Sequence, residues 1–162
     1  VEVKIGCEQT IELPVTPMVC RYTYSVRGVK NLQNFSECVA VQRLMCSEYS
    51  VGGDREIQES RAEVCFAMER SGDAITGSCY TFGAADCDEY KTILYIRTAN
   101  GKMVKGEYDV TQQINSQKGH LKNVDIVIDT DLDLDKQGGG TGGFGFDPSV
   151  DDWGDIESDI IL

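Results

Sequence analysis

Four aspartates fall at every second position from Asp129 to Asp135. On an extended strand, alternate residues share a face about 6.6–6.8 Å apart, so these side chains would form a row of carboxylates. Hard cations such as Ca²⁺ take six to eight oxygens, often from Asp, which makes Asp129, Asp131 and Asp133 the candidate metal ligands. Two features oppose that chemistry. The run lacks the Gly at the sixth and the Glu at the twelfth position of an EF-hand loop. A ligand shell also needs carboxylates converging from several directions, and a strand supplies a line. The spacing fits a solvated strand face better, its charge blocking edge-to-edge aggregation.

The other reactive residue types form no recognisable machinery. His120 is the sole histidine and falls in a turn before a strand. A Ser-His-Asp or Cys-His site needs an activated nucleophile and an orienting carboxylate. No G-x-S-x-G or Cys-centred signature surrounds any candidate here. Gly138, Gly140 and Gly143 satisfy G-x-G-x-x-G. A dinucleotide site then requires a helix N-terminus, whereas "FGFDPSVDDWG" follows, with a proline and acids that repel phosphate. Asn34-Phe35-Ser36 fits a glycosylation acceptor and matters only in a eukaryotic secreted chain. No catalytic residue, cofactor-binding residue or cofactor is assigned, and the chain reads as non-enzymatic.

The seven cysteines lie at 7, 20, 38, 46, 65, 79 and 87. No two make a C-x-x-C pair, which excludes a zinc ribbon or thioredoxin motif. Most read as small buried apolar residues. Net charge is −12 and unevenly placed. Residues 1–124 hold 14 basic and 16 acidic residues, whereas 125–162 hold 1 basic and 11 acidic. Such a field repels nucleic acid and anionic membrane surfaces. No apolar run reaches the ~18–20 residues that span a bilayer. Val1, in place of an initiator Met, reads as a processing boundary.

Strands must position whatever the chain presents. In "CRYTYSVR", Cys20, Tyr22, Tyr24 and Val26 alternate with polar residues up to Gly28. "AEVCFAMERSGDAITGSCYTFG" reads as a hairpin about Gly72, which would place Cys65 opposite Cys79. "YKTILYIRT" and "KMVKGEYDVTQQI" read as two strands joined at Asn100-Gly101. "HLKNVDIVIDTDLDLD" is the longest alternating run. At most a short helix is expected near 30–36, and residues 47–60 read as loop. Many short strands with frequent turns predict an all-β sandwich.

The order of several phrases resembles the fimbrillin-like surface proteins of Bacteroidales, near their fimbrial anchor and accessory subunits. The matching pieces are "YTYSVRGVKNLQN", "ITGSCYTFG", "GEYDVTQQINSQ", "NVDIVIDTDLDL" and "FDPSVDDWGDIESDIIL". The resemblance implies a transthyretin-like or Greek-key β-sandwich, export by a lipoprotein route and a place at the outer-membrane surface of a Gram-negative bacterium. It implies protein partners, either other subunits or a host surface ligand, and no catalytic residues. Any membrane attachment would run through a lipid anchor upstream of this sequence. The expected organisation is one sandwich domain over 1–162, with a Gly-rich loop at 138–145 and a C-terminal strand at 155–162 anchored by Trp153. The expected function is a structural or adhesive subunit. The alternative is an extracellular carbohydrate- or calcium-binding module.

Overall fold

A computed structural model describes residues 6, 18–53, 55–117 and 123–135. Cys7, His120, the Gly-rich loop at 138–145, Trp153 and the strand expected at 155–162 lie outside the described residues. The strands are β1 (Cys20–Arg27), β2 (Phe35–Met45), β3 (Tyr49–Ser50), β4 (Arg55–Glu56), β5 (Ala62–Ser71), β6 (Ala74–Thr81), β7 (Lys91–Thr98), β8 (Met103–Asp109) and β9 (Asn123–Asp129). A 3-10 turn at Leu32–Asn34 meets the expectation of a short helix near 30–36, and a six-residue helix, α1, spans Thr111–Ser116. The all-β expectation holds.

Seven strands form one sheet in the order β8-β7-β2-β5-β6-β1-β9, with β3 and β4 as a separate ribbon inside the stretch expected to be loop. The sheet curls because β5 and β6 stay together for only part of their length. They pair from Ser71↔Ala74 to Met68↔Gly77, after which β5 continues along β2 and β6 along β1. A Cβ on Gly77 would lie 2.7 Å from Met68 Cγ and 2.9 Å from the Ala67 carbonyl oxygen, so the parting point admits only glycine. One layer is therefore β8-β7-β2-β5 and the facing layer is β6-β1-β9. All neighbours are antiparallel except β9, which runs parallel to β1. That strand order leaves the transthyretin-like or Greek-key connection as an implication of the resemblance.

Alternation decides what enters the core. Cys20, Tyr22, Tyr24 and Val26 of β1 point inward with Val124, Ile126 and Ile128 of β9. Cys38 and Ala40 of β2, Met68 of β5 and Leu94 and Ile96 of β7 close over them from the other layer. Tyr24 and Phe66 meet across the core with ring centroids 4.8 Å apart, a geometry favourable beyond simple burial.

Two sequence expectations need correction. The β5–β6 hairpin exists, but its register is displaced by one residue. Opposed residues sum to 145, as in Arg70↔Ile75, because the turn is the pair Gly72-Asp73 and is not centred on Gly72. A one-residue shift exchanges faces. Cys79 therefore points into the core and Cys65 points to solvent, and because β5 and β6 have parted before reaching them, Cys65 lies opposite Val41 of β2 and Cys79 opposite Tyr22 of β1. The second correction concerns "YDVTQQI". β8 ends at Asp109, whose carboxylate accepts from the Thr111 N–H at 2.8 Å and starts α1.

Candidate interaction surface

The outward side chains of the two layers differ in kind. The β6-β1-β9 layer presents Arg21, Thr23, Ser25, Thr76, Ser78 and Asp125, with Tyr80 the one large hydrophobic among its exposed described side chains. The other layer presents two apolar ranks. In one, Tyr95 of β7, Val39 of β2 and Ala67 of β5 lie side by side. In the next, Ile93, Val41 and Cys65 do the same. Val39 is 43% exposed at the middle of the first rank, whereas Ile93 is itself buried.

Ion pairs enclose these ranks. Arg97 meets Glu37 at 2.9 Å at one end, and Arg43 meets Glu63 at 2.6 Å at the other. Lys91 reaches Glu89 at 3.2 Å and Glu107 at 3.3 Å. Donating to the Glu63 carboxylate raises the Arg43 pKa, and donating to the Glu89 and Glu107 carboxylates raises that of Lys91. All of these side chains are largely exposed, so solvent screens the pairs and they add little stability. Their consequence is the pattern they draw, an apolar centre with a wetted charged rim, as at protein interfaces.

The aspartates expected in one row are divided by the chain path. β9 ends at Asp129, and the next residues leave the strand to reach the 3-10 turn. There the Asn31 side-chain amide donates to Asp133 at 2.6 Å and that of Asn34 donates to Asp135. Asp133 also accepts from the Asp135 N–H at 3.0 Å. Asp133 and Asp135 thus fasten the end of the sheet to the β1–β2 connection, while Asp129 and Asp131 remain exposed. Among the described residues no group of three or more His, Cys, Asp or Glu side chains could hold a metal ion.

The buried polar groups serve packing. The Tyr24 hydroxyl donates to Gln42 Oε1 at 3.0 Å, and Thr92 donates to the same oxygen at 2.6 Å. Gln42 Nε2 donates to the Arg43 carbonyl at 3.0 Å. These bonds tie β1 in one layer to β2 and β7 in the other. Burial pushes the Cys38 thiol up to about 12 and the Cys79 thiol up to about 11, the latter partly opposed by its hydrogen bond with Tyr24. Both stay protonated at neutral pH, so neither supplies a thiolate nucleophile. Most of the described cysteines are buried, as the composition suggests; Cys65 is exposed.

The two outer strands are finished differently. Along β9, Gln113 and Gln117 of α1 bond to the backbone of Val127 and Asp125. The Tyr108 and Thr130 hydroxyls lie 2.8 Å apart, which brings the inner side of β8 to the end of β9. Among the described residues, no strand pairs with the outer flank of β8. No helix of the described residues is long and apolar enough to cross a membrane.

No family model and no curated protein matches the chain. Among solved structures, a candidate adhesin from Bacteroides ovatus matches with a TM-score of 0.52 at 15% identity, over 71% of this chain and 49% of that one. The chain thus spans about half the length of that neighbour, and the likeness is one of fold. It supports a fold like that of this candidate adhesin, the coarser part of the resemblance drawn from the sequence.

Proposed function

We propose that this chain is a non-enzymatic cell-surface adhesive protein that engages a protein partner through the outer face of the β8-β7-β2-β5 layer. The observation that carries this reading is the apolar pair of ranks around Val39, enclosed by the Arg97–Glu37 and Arg43–Glu63 ion pairs. An apolar centre supplies affinity on desolvation, and a charged rim supplies register and selectivity. The facing layer has no equivalent. The fold shared with the B. ovatus candidate adhesin supports the same direction. The finer parts of the proposal follow the sequence resemblance: a fimbria-like assembly or attachment subunit, exported as a lipoprotein and held at the outer-membrane surface.

Location and binding are tested separately. Protease treatment of intact producing cells should remove the protein if it is surface-displayed, and protection in intact but not lysed cells would contradict that location. Binding is tested with protein-coated beads on epithelial cells and on immobilised matrix proteins, comparing wild type with Val39→Glu. Attachment that Val39→Glu abolishes supports the assigned face. Binding confined to a glycan array would instead favour the carbohydrate module.

A further inference from the structure

We propose that the outer flank of β8 is a self-association edge, to which a second copy of this chain adds its own β8 antiparallel in a register centred on Gly106. This goes beyond the adhesive reading and stands without it. A sheet edge offers unpaired backbone groups to any partner strand. In this fold one edge is closed, because Gln113 and Gln117 engage the β9 backbone. The β8 flank has no strand partner among the described residues.

The side chains of β8 select the occupant. Met103, Lys105, Glu107 and Asp109 are exposed on the outer face, and Val104, Gly106 and Tyr108 point inward. The basic residue precedes Gly106 and the acids follow it. In an antiparallel pair, directly opposed residues share a face. With Gly106 opposite its own copy, Lys105 meets Glu107 of the second copy twice, by symmetry. Val104 then meets Tyr108 of the second copy on the inner face. A shift of two residues sets Lys105 against Lys105 or Glu107 against Glu107. A shift of one sets inner apolar residues beside outer charged ones. Edge charges of a single sign would deter every copy. Here the sign reverses at the strand's centre, and among these same-face registers the one centred on Gly106 opposes Lys105 to Glu107 twice without setting any like pair opposite. The reversal matters in a chain of net charge −12, whose copies otherwise repel. Such a pair is isologous and closes at two copies.

Sedimentation equilibrium over a concentration series, on the full chain, tests the register through charge reversal. Wild type should show a monomer–dimer equilibrium. Lys105→Glu and Glu107→Lys should each weaken it by about tenfold or more, since each creates two like-charge pairs per dimer. An equimolar mixture of the two variants should recover the dimer, because each then meets its complement. Both positions are exposed, so thermal melts should confirm that each variant folds. The proposal is overturned if wild type stays monomeric to its highest soluble concentration, if either single reversal leaves the dimer intact, or if the mixture fails to reassociate.

Discussion

The side-chain amide of Gln113 pairs with both backbone groups of Val127, donating to its carbonyl at 2.8 Å and accepting from its N–H at 2.7 Å. One turn further along α1, Gln117 repeats the arrangement on Asp125, with both bonds at 3.0 Å. The two glutamines, at i and i+4 on one helix face, act as a surrogate strand for β9. Replacing both with Leu keeps the volume and removes the pairing. Stability should fall by about 1–3 kcal/mol in denaturant melts, since partly buried backbone groups lose their partners. The exposed edge should also raise light scattering on storage. Unchanged melts and scattering would show that α1 does not close this edge.

A second prediction concerns the polar link inside the core. Tyr24→Phe removes one donor to Gln42 while Thr92 still satisfies that oxygen, and should cost about 1 kcal/mol. Gln42→Leu leaves the hydroxyls of Tyr24 and Thr92 without their acceptor, and should cost more, about 2–4 kcal/mol. Urea melts of the two variants should rank them in that order. The reverse order would mean that Gln42 is not the hub of this link.

Alkali should unfold the protein through its buried thiols. Burial raises the folded-state pKa of Cys38 from 9.0 to about 12 and that of Cys79 from 9.0 to about 11. Below pH 9 both states keep these protons and the stabilisation is whole. Above it the unfolded chain releases them first, so stability declines with pH until the folded thiols ionise too. Melts at a series of pH values from 8 to 11 should show this decline, and Cys38→Ala should make it shallower. A slope unaltered in Cys38→Ala would exclude the thiol as its source.

The aspartates should separate by location. Asp133→Ala loses the bonds from Asn31 and from the Asp135 N–H, and should cost about 1–2 kcal/mol. Asp131→Ala, at an exposed position, should stay within about 0.5 kcal/mol of wild type. Melting temperatures with calcium and with chelator should coincide for all three proteins. A rise that scales with calcium concentration would demonstrate a native-state ion site.

Period-two alternation made most of the fold legible, because burial on one face of a strand writes itself into every second residue. Tyr22, Tyr24 and Val26 are buried as that pattern requires. Register was less legible. Gly72 is the obvious turn residue, yet whether a hairpin turns on one residue or two leaves only a one-residue trace, and that residue decides whether Cys65 or its neighbour faces the core. Helix α1 was hidden for another reason. Six residues are too few for a periodic stripe, and Thr, Gln and Asn carry no apolar signal beyond Ile114. The aspartate row failed because alternation in composition continued past Asp129 after the strand itself had ended. The interaction face could not be read locally at all, since Val39, Ala67 and Tyr95 come from three strands and meet only in the folded sheet.

Attachment of protein-coated beads to epithelial cells, measured for wild type, Val39→Glu, Tyr95→Ala and Tyr80→Ala at matched coating density, tests the assigned face most directly. Val39 and Tyr95 belong to the apolar ranks, and Tyr80, 62% exposed, belongs to the opposite layer. The expected result is attachment by wild type and Tyr80→Ala and its loss in Val39→Glu and Tyr95→Ala, with melting temperatures of all four proteins alike. Wild-type beads that fail to attach, or Val39→Glu beads that attach as wild type does, would contradict the assignment.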